Sequence, residues 1–249
     1  KRAADEEGQG NQRYECKHRT VKEHEDHRAD DAEQRHGSLL GAVNQQAFVK
    51  ASNTDAADLF GFAVALSADG NTLAASATQE QSASAGINGN QSDDSIFGAG
   101  AVYVFVRTGT TWTQQAYIKS SIPQYSFFGE SLSLAADGNT LAVGSYGENL
   151  VYIFTRAGST WSQQARFTEA SASTFDFFGS SVSLSDDGNT LAIGEPGDTS
   201  QSGSAYVFTR AGMVWSQQAH LTASNADFSD GFGEAVSVSG DGFSRPLST

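Results

Sequence analysis

DFFGSSVSLSDDGNTLAIGEPGDTSQSGSAYVFTRAGMVWSQQAHLTAS, residues Asp176 to Ser224, is the stretch from which the fold is read. It alternates apolar and polar residues and is broken by turn sequences, the pattern of short β-strands. Its motifs recur. FFGESLSLAADGNTLAVGS begins at Phe127, LFGFAVALSADGNTLAASA at Leu59, and GFGEAVSVSGDG at Gly231, where the copy stops early. The pairs Phe60-Gly61, Phe128-Gly129, Phe178-Gly179 and Phe232-Gly233 are spaced 68, 50 and 54 residues apart. Trp112, Trp161 and Trp215 follow at 49 and 54. A period near 50 in an all-β pattern means a propeller or a similar radial array, in which one repeat cannot bury its own core.

Each whole unit reads as four antiparallel strands. The first is FAVALSA, ESLSLAA or SSVSLSD, with Val64/Leu66, Leu132/Leu134 and Val182/Leu184 on alternate positions. Asp69-Gly70, Asp137-Gly138 and Asp187-Gly188 supply the positive φ of a tight hairpin into NTLAASA, NTLAVGS or NTLAIGE. After a variable loop comes AVYVFVR, LVYIFTR or SAYVFTR, apolar on both faces as a strand packed between neighbouring sheets requires. An Arg-x-Gly turn then leads to the outer strand TWTQQAYI, TWSQQARF or VWSQQAHL. QQAFVKAS at 45–52 matches the end of these outer strands and is read as the last strand of a preceding unit. Four strands per repeat is the composition of a propeller blade. About three complete blades and two partial ones are expected over 44–242, with 243–249 outside the repeat.

Residues 1–43 are different material. The first forty hold eight Lys/Arg, ten Asp/Glu and four of the five histidines, with almost no aliphatic residue before Leu39. Such a leader cannot bury enough surface to offset its ordering entropy and is expected to be disordered or helix-prone. The alternative, a metal cluster of Cys16, His18, His24, His27 and His36, lacks recognised zinc spacing. One cysteine excludes an internal disulfide framework, and no apolar run approaches the roughly 20 residues that span a membrane. A net charge of −14 argues against nucleic acid and anionic membranes as partners. The start at Lys1 and the break inside the fourth copy read as a fragment or processed form.

Phe-Gly at the blade entrance, LAxG at Leu141–Gly144 and Leu191–Gly194, Gly194-Glu195-Pro196 and the VYVF element resemble FG-GAP repeats. Those are the repeats of integrin-α-type β-propellers and of many bacterial surface and secreted proteins. The resemblance implies a seven-bladed propeller in a complete protein, acting in adhesion or ligand binding, with calcium in a D-x-D-x-D-G-type loop between the first two strands. This chain departs there. SADGNT, AADGNT and SDDGNT provide a two-residue turn where a cradle of six or more oxygens is needed, so Asp69, Asp137 and Asp187 are read as turn formers.

No phosphate loop, dinucleotide fingerprint, H-E-x-x-H or G-x-S-x-G appears. His220 occupies an outer-strand position that carries Tyr117 and Arg166 in the other copies, and is read as solvent-facing. The Phe-Gly pairs and the tryptophans are read as packing.

Alternating strands put the four-to-one and two-to-three loops on one face and the tight turns on the other. The loop face collects fourteen acids from residue 41 on: Asp55, Asp58, Glu80, Asp93, Asp94, Glu130, Glu148, Glu169, Asp176, Glu195, Asp198, Asp227, Asp230 and Glu234. It also carries the variable 79–98 insertion. Ligands are expected on such a face. The expected function is a non-enzymatic, extracellular or cell-surface module that binds a protein or carbohydrate there. The alternatives are a piece of a secreted propeller enzyme acting on carbohydrate, or a truncated frame without independent function. Asn53, Asp55, Asp58 and Asn225, Asp227, Asp230, in the pattern Asn-x-Asp-x-x-Asp, are the candidate ligands of a weak calcium site.

Overall fold

The computed structural model describes residues 44–169, 176–197 and 202–242. The leader 1–43 with its histidines, and the tail 243–249, lie outside the described residues. By its contacts the chain divides between Gln45 and Gln46, and every strand belongs to the second unit.

Twelve antiparallel strands form three four-stranded sheets among the described residues. The first blade holds β1 (Phe60–Leu66), β2 (Thr72–Ala77), β3 (Ala101–Thr108) and β4 (Thr111–Ile118). The second holds β5 (Leu132–Leu134), β6 (Thr140–Ser145), β7 (Leu150–Ala157) and β8 (Thr160–Thr168). The third holds β9 (Ser181–Leu184), β10 (Thr190–Glu195), β11 (Ser204–Ala211) and β12 (Val214–Leu221). Each is a simple meander, as the hairpin turns dictate. The third strands are buried along most of their length, which is why both of their faces are apolar.

The core lies between blades. Val102, Val104 and Ile118 of the first sheet pack with Phe128, Leu141 and Tyr152 of the second. Val151 and Ile153 pack in turn with Phe178, Val182 and Ile193 of the third. Burying each of Phe128 and Phe178 contributes about 1.5–3 kcal/mol relative to exposure. Gly144 and Gly194 are required by a close approach of the next Phe-Gly pair's backbone. A Cβ on Gly144 would strike the Gly179 carbonyl, and one on Gly194 the Gly233 carbonyl. Serines tie the inner strands together: Ser131 Oγ donates to Gly179 O (2.8 Å), and Ser133 Oγ accepts from Leu184 N–H (2.9 Å).

A second junction lies at the tight turns. In every outer strand the ladder skips one residue, Gln115, Gln164 or Gln218, which forms a β-bulge. Bulges re-aim side chains, and Gln115 and Gln164 serve the next blade. Arg156 Nη1 (3.1 Å) and Trp161 Nε1 (2.9 Å) both donate to Gln115 Oε1 of the preceding blade, while Arg156 Nη2 reaches Thr72 Oγ1 (3.1 Å). The clasp repeats one blade on: Arg210 Nη1 (2.9 Å) and Trp215 Nε1 (3.1 Å) donate to Gln164 Oε1. Each guanidinium also lies over its tryptophan, at 5.3 and 5.2 Å. Arg107 reaches Gln46 in the same way (2.8 Å), which joins the partial unit before β1 to the first blade.

The arginines are themselves held by the Asp-Gly turns. Arg156 Nε donates to Asn139 Oδ1 (2.9 Å), and Asn139 N–H to Asp137 Oδ1 (2.8 Å). In the first blade the Ser67 hydroxyl, then the Asn71 backbone and side-chain N–H groups, lower the Asp69 pKa to about 2. Asp69, Asp137 and Asp187 are turn formers.

Replacing Gln164 by Ala removes the acceptor of both Arg210 and Trp215 and is expected to cost about 1–3 kcal/mol. Its exposed neighbour Gln163, changed to Ala, should stay within about 0.5 kcal/mol of the parent. Urea midpoints measure both, and equal effects would show that the clasp adds nothing.

Candidate functional site

The loop face is built from the ends of the same junctions. Tyr103, Tyr152 and Tyr206 occupy one position of the third strand in successive blades, and all are buried. Tyr103 donates to Asn53 Oδ1 (2.6 Å), Tyr152 to Glu148 Oε2 (2.7 Å) and Tyr206 to Glu195 Oε2 (2.7 Å). Burial is the main cause that pushes the Tyr152 pKa up to about 12. At the first blade Glu80 accepts from Tyr117 (2.6 Å) and Asn53 Nδ2 (3.0 Å) and pairs with the buried Lys119. Burial pulls the Lys119 pKa down, against the attraction of Glu80.

These contacts change the meaning of the acidic count. Asp58, Glu80, Asp176 and Glu195 are buried, and Glu148 is engaged with Tyr152 and Ser120. Asp198 lies outside the described residues. Much of the acid counted from sequence therefore bonds neighbouring strands. The 79–98 insertion does not stand free either. It lies along the end of β4 through Asn88 N–H to Tyr117 O (2.7 Å) and Lys119 N–H to Gly86 O (2.8 Å).

Of the candidate calcium ligands, Asp58 Oδ2 accepts from Asp55 N–H (3.0 Å), and Asp230 Oδ2 from Asp227 N–H (2.7 Å). The two loops thus adopt the same side-chain-capped turn. Asn53 turns to Tyr103 and Glu80, Asp55 is exposed, and Asn225, Asp227 and Asp230 are all exposed. Burial raises the Asp58 pKa. At the family's calcium loop the residues do not fit an ion: both Asp69 oxygens are taken by Ser67 and Asn71. A different donor set is assembled between the second and third blades. One carboxylate oxygen each from Glu169, Asp176 and Glu195 lie within 4.8 Å of one another, donors of the type a hard cation takes. Sequence spacing does not group them, because only the junction brings them together.

The feature that sequence reading missed is aromatic. Phe97 stacks on Tyr125 (6.1 Å, 16°), Tyr125 meets Phe127 edge-on (4.6 Å), Phe127 stacks on Tyr146 (5.5 Å, 5°), and Tyr146 meets Phe177 (5.6 Å). Phe127 and Phe177 stand before the Phe-Gly pairs with φ of 53° and 58°, a left-handed backbone that costs a bulky residue about 1–3 kcal/mol. The row ends at a cleft of about 300 Å³ lined by Glu130, Tyr146, Phe177, Ser180, Pro196 and Glu234. Glu130, Ser180 and Glu234 each follow the glycine of a Phe-Gly pair, so the second blade, the third blade and the partial fourth copy bring them to one place. The doubled Phe-Phe-Gly of the second and third units was the signal available. His220 is exposed and stacks flat on Tyr206 (4.5 Å, 3°).

Among the described residues no helix is long and apolar enough to cross a membrane. No curated protein sequence matches the chain. Among solved structures it is similar to Kuenenia stuttgartiensis hydrazine synthase at 15% identity, covering 79% of this chain and 44% of that one, with a TM-score of 0.47. A putative 6-phosphogluconolactonase from Bacteroides uniformis ATCC 8492 gives 12%, 64%, 40% and 0.45 in the same order. The β-propeller domain of Cps50 (Swd1) from Myceliophteria thermophila gives 14%, 65%, 42% and 0.41. The chain thus spans about two fifths of the length of these structures, and likenesses of this strength say nothing about ligands or activity. Residues 161–208 and 215–243 match the FG-GAP repeat family. The matched stretches are FG-GAP repeats, and with the same motifs in the preceding copies and one four-stranded sheet per whole copy the repeats fold as β-propeller blades.

Proposed function

We propose that this chain is a non-catalytic binding module of an extracellular or cell-surface propeller, which holds a protein or carbohydrate ligand on its loop face in adhesion or capture. The observation that carries the reading is the aromatic row leading into the cleft of Glu130, Tyr146, Phe177 and Glu234. The row runs from half-buried Phe127, Tyr146 and Phe177 out to exposed Tyr125 and Phe97, and rings open to water beside polar groups favour a ligand that covers them. The left-handed backbone under Phe127 and Phe177 recurs at Leu59 and Gly231, so it belongs to the repeat's turn, and what the second and third copies add to it is an aromatic ring. The buried titratable groups Glu80, Lys119 and Tyr117 bond one another, as structural networks do. The fluorescently labelled chain should bind members of a mixed glycan and peptide array, and Tyr146→Ala should lose that binding. Met213→Ser, at an exposed turn on the opposite face, should keep it. Binding that survives Tyr146→Ala would remove the loop face from the reading.

Calcium is a subsidiary proposal on the same face. In each capped loop one carboxylate, Asp55 or Asp227, is exposed beside the capping acid, so millimolar affinity is expected. Calorimetric titration of the chain with calcium should release heat that Asp55→Ala/Asp227→Ala abolishes. Equal heats from the two proteins, or none from either, would end the idea.

A further inference from the structure

We infer that the cleft between the second and third blades is a saccharide subsite, seating one neutral pyranose ring against Tyr146 and Phe177 with its hydroxyls toward Glu130, Ser180 and Glu234. The inference rests on the loop-face reading and assigns the ligand's chemistry. Three observations carry it.

The first is shape. A cleft of about 300 Å³ lies at the small end of ligand pockets, roughly 300–1,000 Å³, and suits a single ring better than a folded peptide. Its aromatic walls are braced. Phe127 lies parallel behind Tyr146 at 5.5 Å, and Phe177 closes the angle at 5.6 Å. Rings fixed before binding lose little freedom on it, and the C–H face of a pyranose supplies the flat apolar partner they lack.

The second is the state of the polar groups between those rings. Ser180 Oγ is buried and has no hydrogen-bond partner among the described residues. Glu130 is half-buried, and its carboxylate accepts no hydrogen bond among the described residues, while burial raises its pKa. Burial, then the charge of Glu130, also raises that of Tyr146. A carboxyl, an aliphatic hydroxyl and a phenol together need a partner that donates and accepts. Sugar hydroxyls do both, whereas an ammonium or guanidinium only donates. This favours a saccharide over a basic side chain. Glu130 and Glu234 face any occupant, and none of the described lining residues is cationic, so carboxylated and sulfated sugars are excluded by like charge.

The third is continuation. Beyond Phe127 the row runs on to Tyr125 and Phe97, which are 58% and 54% exposed and stack nearly parallel. Further units of an oligosaccharide have a platform outside the cleft.

The test uses the full chain with cellotriose, mannotriose and chitotriose as neutral probes, trigalacturonic acid as the charged one, and a dilysine peptide as the basic one. Saturation-transfer NMR should show contact through the ring C–H protons of at least one neutral trisaccharide and none for trigalacturonic acid. Tyr146→Ala should weaken that sugar about tenfold, whereas Tyr146→Phe, which keeps the ring, should hold it within about threefold. Glu130→Gln should weaken the neutral sugar and admit trigalacturonic acid, a gain that a merely destabilised protein does not produce. If Tyr146→Ala fails to fold, the Glu130→Gln exchange decides alone. The inference is overturned if no neutral trisaccharide binds, or if binding is indifferent to both Tyr146→Ala and Glu130→Gln. It is also overturned if only the dilysine peptide binds in a Tyr146-dependent way, and in that case the loop-face reading stands. A chain that keeps its array binding in Tyr146→Ala loses the loop-face reading as well.

Discussion

No side chain fits at Gly144 or Gly194, because the backbone of the next blade passes directly over each: the Gly179 carbonyl in one case, the Gly233 carbonyl in the other. That approach sets the distance between blades at the Phe-Gly end. At the tight-turn end the distance is set by a bulged glutamine gripped by the arginine and tryptophan of the following blade. Between these two fixed points the apolar faces meet, and Phe128 and Phe178 disappear into the gap. A blade taken alone has no such contacts and two apolar faces in water. The unit of stability in this chain is therefore the junction, and a blade is what lies between two of them.

The strands and tight turns were legible because they depend on neighbours in sequence. Alternation in Val182-Ser183-Leu184 and the Asp187-Gly188 turn need only local geometry, and the structure places β9 and β10 around them. The clasp was not legible in the same way. Arg210, Trp215 and Gln164 lie up to 51 residues apart, and each has a plausible local role as turn, packing or solvent-facing residue. Only their joint recurrence in every unit pointed to a shared purpose. The acids misled for a related reason. Counting Glu80 and Glu195 on the loop face was correct topologically, but sequence carries no sign that Tyr117 and Tyr206 bury them from the next strands. The aromatic row was hidden because attention to Phe-Gly passes over the residue before it, and Phe127 and Phe177 stand there.

The junctions also explain why the cleft lies where it does. Glu130, Ser180 and Glu234 leave the inner strands just after the close glycine approach, so blade spacing is transmitted directly to the spacing of these three side chains. Tyr146 and Pro196 directly follow β6 and β10, which carry Gly144 and Gly194 near their ends. Sites on such rigid elements keep their geometry without a ligand. What varies between copies, Leu59 against Phe127, or Phe62 against Glu130, is carried on a frame that does not vary. This is how one repeat can hold different surfaces.

The central claim, that stability resides between blades, is tested most directly by native-state hydrogen exchange across the central strands β2, β6 and β10 in rising urea. If junctions hold the array, the slowest amides of the three strands converge on one opening isotherm with one slope. Three separate isotherms, each with the small slope of a single four-stranded sheet, would mean that every blade is stable by itself and would contradict the claim.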